Sequence, residues 1–86
     1  MIKQCNEITY VLKCQDDIYY VGKTKQLHHR LSKHFSGEGS RVTKSHPPVK
    51  VVALYAGNVE KEKTLYGRNK YGKNKCFGHC YHEGAI

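Results

Sequence analysis

The sequence predicts a small α+β domain, a three-stranded sheet flanked by helices. Three observations lead there. Residues 7–14 alternate apolar and polar side chains, residues 18–22 form an aromatic and β-branched run after an acidic turn, and Leu27, Leu31 and Phe35 recur at helical spacing. At 86 residues and 38% hydrophobic content, a single domain over 1–86 with a limited core is expected.

The first strand, Glu7 to Cys14, sets Ile8, Tyr10, Leu12 and Cys14 on one face and Thr9, Val11 and Lys13 on the other. Gln15-Asp16-Asp17 supplies a turn into the second strand, Ile18 to Gly22. Pairing Cys14 with Ile18 across that turn sets Tyr10 opposite Gly22 and leaves Tyr10 and Tyr20 on one face. A helix follows from about Lys25 to Ser36, closed by Gly37 as a left-handed cap. Arg30 and His34 lie beside its apolar stripe, at the rim of the buried face.

The longest irregular segment is Gly37 to Pro48, and its Ser40, Arg41, Thr43, Lys44 and His46 suit contact with phosphates, as does Lys25 in the basic turn before the helix. Val49 to Ala56 forms a third strand, ended by Gly57. Asn58 caps a second helix from Val59 to about Lys70, on which Val59, Glu62, Leu65, Tyr66 and Asn69 share a face expected to turn inward. Residues 73–86 form a basic, aromatic tail without periodicity.

A net charge of +8 and a pI near 9.4 point to an anionic partner, and nucleic acid ranks first because the cations are interleaved with seven tyrosines. No apolar run is long enough to span a membrane. Residues 1–6 carry no signal-peptide pattern, so the four cysteines are expected to be reduced and the chain cytoplasmic or nuclear. Cys76, His79, Cys80 and His82 crowd into seven residues, too close for an easy tetrahedral site, so structural zinc is not expected. Cys5 and Cys14 remain alternative partners for Cys76 and Cys80, and metal analysis would reveal such a site.

These residue types fit phosphodiester hydrolysis. The reaction needs a water, a proton acceptor, and positive charge where the pentavalent phosphate gathers negative charge. Arg30 offers a permanent fork of donors for phosphate. Glu62, with Glu60 in reserve, offers a carboxylate for Mg²⁺ or Mn²⁺, which keeps several waters and needs few protein ligands. Tyr10 or Tyr20 would activate the water if nearby cations lowered its pKa, and Lys23 and His34 would assist.

The ordered series resembles the GIY-YIG nuclease domain over most of the chain. Ile8-Thr9-Tyr10 corresponds to the family's first element and Tyr20-Val21-Gly22 to its second, with Lys23-Thr24, Leu27, Arg30 and His34 at the expected spacing beyond. Gly39-Ser40, Thr43 and His46-Pro47-Pro48 resemble the loop of the structure-selective and repair branches. Residues 60–64, Lys70-Tyr71-Gly72, Gly78 and Tyr81 are similar to a branch found in viruses and mobile elements. The resemblance implies a three-stranded antiparallel sheet and one-metal hydrolysis with a tyrosine as general base and an arginine and a glutamate indispensable. By position it assigns Tyr10, Tyr20, Arg30 and His34; several branches place the glutamate one helical turn later, where this chain has Tyr66 and Gly67.

The expectation is a metal-dependent DNA endonuclease directed by DNA structure, by a protein partner or by a fused module. The alternatives are a catalytically inactive nucleic-acid-binding module on the same scaffold and, from another class, a small zinc-stapled interaction domain.

Overall fold

The structure, a computed structural model, describes residues 7–78. Strand β1 (Ile8–Cys14) turns through Gln15–Asp17 into β2 (Tyr19–Thr24). Asp16 and Asp17 both take left-handed φ values, 64° and 59°, a conformation that Asp tolerates better than most residues. The pairing is the one expected: Tyr10 lies opposite Gly22 and Leu12 opposite Tyr20.

Helix α1 (Leu27–Ser36) follows and ends at Gly37 with φ 87°, as its glycine cap predicts, although it begins two residues later than Lys25. The segment expected to be irregular contains a short helix, α2 (Arg41–Ser45). Ser40 caps it: its side chain accepts from the Thr43 amide at 3.1 Å, and the Thr43 hydroxyl accepts from the Ser40 amide at 3.1 Å. This reciprocal pairing orders a stretch whose composition alone reads as loop.

Strand β3 (Pro48–Ala56) pairs antiparallel with the other side of β1, with register shifts near Leu12 and Cys14. Helix α3 (Glu60–Tyr71) then crosses the back of the sheet, and β4 (Cys76–Gly78) pairs parallel with β2. The sheet therefore has four strands in the order β3-β1-β2-β4 and is mixed, where three antiparallel strands were expected.

The core lies between the front of the sheet and the helices α1 and α2. Tyr10, Leu12, Cys14, Ile18, Val42 and Phe77 form its buried cluster, with Leu27 and Leu31 of α1 packed on it. Phe35, third in the predicted stripe, is 48% exposed. On the back, α3 packs on β2 and β4. Its inward face is not the one predicted: Leu65 and Tyr66 are 41% and 59% exposed, while Thr64 and Gly67 are buried. The helix docks through small residues, and a Cβ at Gly67 would collide with the Cys76 sulfur. Tyr71 is held by stacking on Tyr19, ring centroids 3.8 Å apart and 6° from parallel.

Candidate active site

Strand β1 turns Tyr10 onto the front face, and α1 lowers His34 over it. The Tyr10 hydroxyl and His34 Nε2 share a hydrogen bond of 2.7 Å in a setting where the two residues are only 2% and 1% exposed. The other ring nitrogen, Nδ1, is bonded at 2.9 Å to the Thr43 hydroxyl at the start of α2. Tyr20 completes the cluster, its ring 6.5 Å from that of Tyr10 and 5.2 Å from that of His34, with the Ser40 side chain acting on its hydroxyl. Two glycines make room. A Cβ at Gly22 would strike the Tyr10 hydroxyl, and one at Gly39 the His34 ring.

Burial sets the electrostatics. It raises the Tyr10 pKa well above the ordinary tyrosine value, with Tyr20 and Glu60 adding to the rise and Arg30 opposing it. Tyr20 is raised for the same first reason, against the Ser40 hydrogen bond and Arg30. His34 is pushed down to about 4 by burial and then by Arg30, so its imidazole is neutral at pH 7. Neither tyrosine is a ready phenolate.

Of the residues expected at the site, Tyr10, Tyr20 and His34 meet directly. Arg30 is exposed on α1, close enough for its charge to act on all three. Glu60, half-buried at the first turn of α3, acts electrostatically on both tyrosines, whereas Glu62 is exposed. The inward direction inferred for Glu62 fails with the rest of that helical face. Both glutamates nevertheless line an open cleft of about 640 Å³ with Lys23, Asn58 and Leu65.

Lys25, Arg41 and Lys44 are exposed. Thr43 is not: fully buried, it serves His34 and the α2 cap. Ser40 is half-buried between Thr43 and Tyr20. His46 sits 3.1 Å from the Asp16 carboxylate at the hairpin turn. The tail histidines and Cys80 lie outside the described residues, as does Cys5, while Cys14 and Cys76 are buried thiols whose pKa burial lifts to about 11. Among the described residues no cluster of three or more His, Cys, Asp or Glu side chains could hold a metal, and no helix is long and apolar enough to cross a membrane.

Sequence reasoning placed Thr43 among the phosphate contacts and missed its supporting role, and it missed Thr9 altogether. Thr43 could have been read from the Ser40-x-x-Thr43 spacing, a variant of the capping box. Thr9 had no signal beyond its place in the strand. Fully buried, it donates to the Gly57 carbonyl at 2.8 Å and accepts from the Val59 amide at 2.9 Å, which ties the start of α3, and so Glu60, to β1.

Comparison with known proteins identifies relatives of the chain. The chain is 37% identical over 67 residues to UPF0213 protein spr1390 of Streptococcus pneumoniae, covering 77% of this chain and 66% of that protein. It is 37% identical over 51 residues to UPF0213 protein BH0048 of Halalkalibacterium halodurans, covering 59% and 54%. UPF0213 protein YazA of Bacillus subtilis is 35% identical over 57 residues, covering 66% of this chain and 58% of that protein. The chain thus spans a little over half to about two thirds of these relatives. No solved structure matches. The GIY-YIG catalytic domain matches residues 6–76, and the chain, with Tyr10, Tyr20, Arg30 and His34 inside that span, belongs to the GIY-YIG family.

Proposed function

We propose that the chain is a divalent-metal-dependent endonuclease that hydrolyses phosphodiester bonds in DNA, directed by DNA structure or by a partner rather than by sequence. The observation that carries this reading is the buried Tyr10–His34 hydrogen bond of 2.7 Å with the charges of Arg30 and Glu60 acting on the same tyrosine.

A tyrosine whose pKa is raised cannot wait as a phenolate, but it can pass a proton on. With the Thr43 hydroxyl accepting from His34 Nδ1–H, Nε2 keeps its lone pair and accepts the Tyr10 hydroxyl proton. As a water attacks phosphorus, its proton moves to the Tyr10 oxygen while the Tyr10 proton moves to Nε2. The new P–O bond forms as the bond to the leaving oxygen breaks; that oxygen takes a proton from solvent, and Nε2 gives its proton back through Tyr10 to solvent, which restores the neutral pair. Arg30 donates to the non-bridging oxygens, where negative charge grows, and its exposure leaves it open to a duplex. Tyr20 packs its ring against His34 on the other side of the pair. Thr43 is a positioning residue, acting through the histidine tautomer.

The donor set at the cleft fits Mg²⁺ or Mn²⁺, since one carboxylate is enough for an ion that keeps most of its waters and takes phosphate oxygens. Glu60, the fallback in the sequence reading, is the better holder because its charge acts on both tyrosines, with Glu62 across the same cleft. Such an ion would supply Lewis acidity at the phosphate. Lys23 at the cleft supplies a further contact for the DNA backbone.

The test is cleavage of branched and linear DNA with Mg²⁺, Mn²⁺ or chelator. Cutting that needs the ion, is lost in Arg30→Ala and Glu60→Gln, and survives Glu62→Gln supports the reading. DNA binding with no cutting under any divalent ion refutes it in favour of a binding module.

A further inference from the structure

We infer that the back of the sheet carries a second nucleic-acid site, which stacks an unpaired base of a DNA strand in the cleft between α3 and β3. Because α3 leans over β2 and β4, the back of β3 stays open, and Val52 is 43% exposed there. The cleft holds about 200 Å³, with Val11, Val21 and Cys76 in its lining. Val11 and Val21 point away from Tyr10 and Tyr20, so this space is separate from the front cluster.

The walls decide the partner. Tyr55, Tyr66 and Tyr71 line the cleft together with Lys63 and Lys70, and no carboxylate among the described residues does. Lys63 Nζ lies 4.3 Å over the Tyr55 ring, and Lys70 Nζ lies 5.7 Å from the Tyr66 ring centroid and 5.3 Å from that of Tyr71. Tyr71 is fixed from beneath by Tyr19, whereas Tyr66, at 59% exposure, has a large aromatic surface in water. An apolar peptide would match the rings but not the flanking cations, and the acyl chains of a lipid offer no ring to stack on Tyr66. A single strand matches both: a base takes a ring face, and the displaced ammonium groups turn to its phosphates. A duplex offers no free base face.

The choice of partner rests on the nuclease reading of the front face; the site itself does not. Under that reading, the preferred substrate carries an unpaired strand that passes behind the sheet while the scissile phosphate sits in front.

The experiment measures binding of a fluorescein-labelled oligothymidylate to the full chain in chelator, so cutting plays no part. Tyr66→Ala is expected to raise the Kd about fivefold to a hundredfold, Tyr66→Phe to leave it unchanged, and Lys70→Gln to shallow its salt dependence. Thermal unfolding checks that each variant folds, as an exposed side chain allows. Oligonucleotides carrying 5-iododeoxyuridine should cross-link to residues 48–56 and 60–71. Wild-type affinity in Tyr66→Ala, or cross-links confined to residues 8–46, overturns the inference. So does a Tyr66→Ala effect on sedimentation without one on DNA binding, which would assign the cleft to a second copy. No cutting by the wild type under any divalent ion, with strand binding intact and lowered by Tyr66→Ala, counts against the nuclease reading alone.

Discussion

Lowering the pH from 7 to 5 is expected to remove about 2 kcal/mol of folding stability through His34 alone. Folded, the buried imidazole holds a pKa of about 4; unfolded, it returns to the ordinary value near 6.5. A lowered pKa means that the neutral form belongs to the fold. The stabilising difference is complete above about pH 6.5 and is lost as the pH falls toward 4, because the unfolded chain takes up a proton that the folded chain refuses. At pH 5 the unfolded histidine is about 97% protonated and the folded one about 10%, which gives the 2 kcal/mol. For so small a domain this is a large share of a total near 5–15 kcal/mol. Urea denaturation at the two pH values measures it, as a midpoint shift of about 1–2 M. Carboxylates and the other histidines also titrate, so the quantity that counts is the difference between wild type and His34→Gln over the same pH step. If the two lose equal stability, His34 is reached by water and the buried Tyr10–His34 pair is not as described.

Three further outcomes follow from the same cluster. Thr43→Val leaves His34 Nδ1 without its partner and is expected to cost about 1–3 kcal/mol in thermal unfolding, with Thr43→Ser recovering most of it. Gly22→Ala places a Cβ against the Tyr10 hydroxyl, which should cost about 1–3 kcal/mol by overpacking and reduce DNA cleavage beyond what the lost stability explains. Arg30→Ala should change stability by less than about 0.5 kcal/mol, as an exposed site predicts. The same variant should raise the His34 pKa seen by NMR titration, because the guanidinium now helps to hold it down.

Local patterns in the sequence were enough for the hairpin and the first helix. The period-2 alternation of β1 and its acidic turn fix the Tyr10–Gly22 register, and Gly37 marks the end of α1. What was hidden depends on residues far apart in the chain. The three residues of β4 have no strand pattern of their own and become a strand by finding the free edge of β2. The inward face of α3 was misread because periodicity follows large apolar side chains, and here Leu65 and Tyr66 face out while Thr64 and Gly67 give close approach. That one rotation leaves Glu62 exposed and Glu60 half-buried. The helix α2 escaped because its cap pairs serine with threonine instead of glutamate.

Burial divides the site into two parts with different tasks. Tyr10 and His34 are almost sealed, which holds both neutral at rest and fixes the geometry of their hydrogen bond. Arg30 and Lys23 are exposed and Glu60 only half-buried, where fixed charges can meet a polyanion that no small pocket admits. Each half needs the other. Under the proposed function, a buried pair without surface charge has no phosphate to act on, and surface charge without the pair is a binding face. The two halves are joined by short physical links: Gly22 beneath the Tyr10 hydroxyl, Gly39 against the imidazole, and Thr9 tying the start of α3 to the strand that carries Tyr10. Loosening the Thr9 link by Thr9→Val would therefore weaken cutting through Glu60 while leaving the His34 pKa in place, a separation that a purely structural role for Thr9 does not produce.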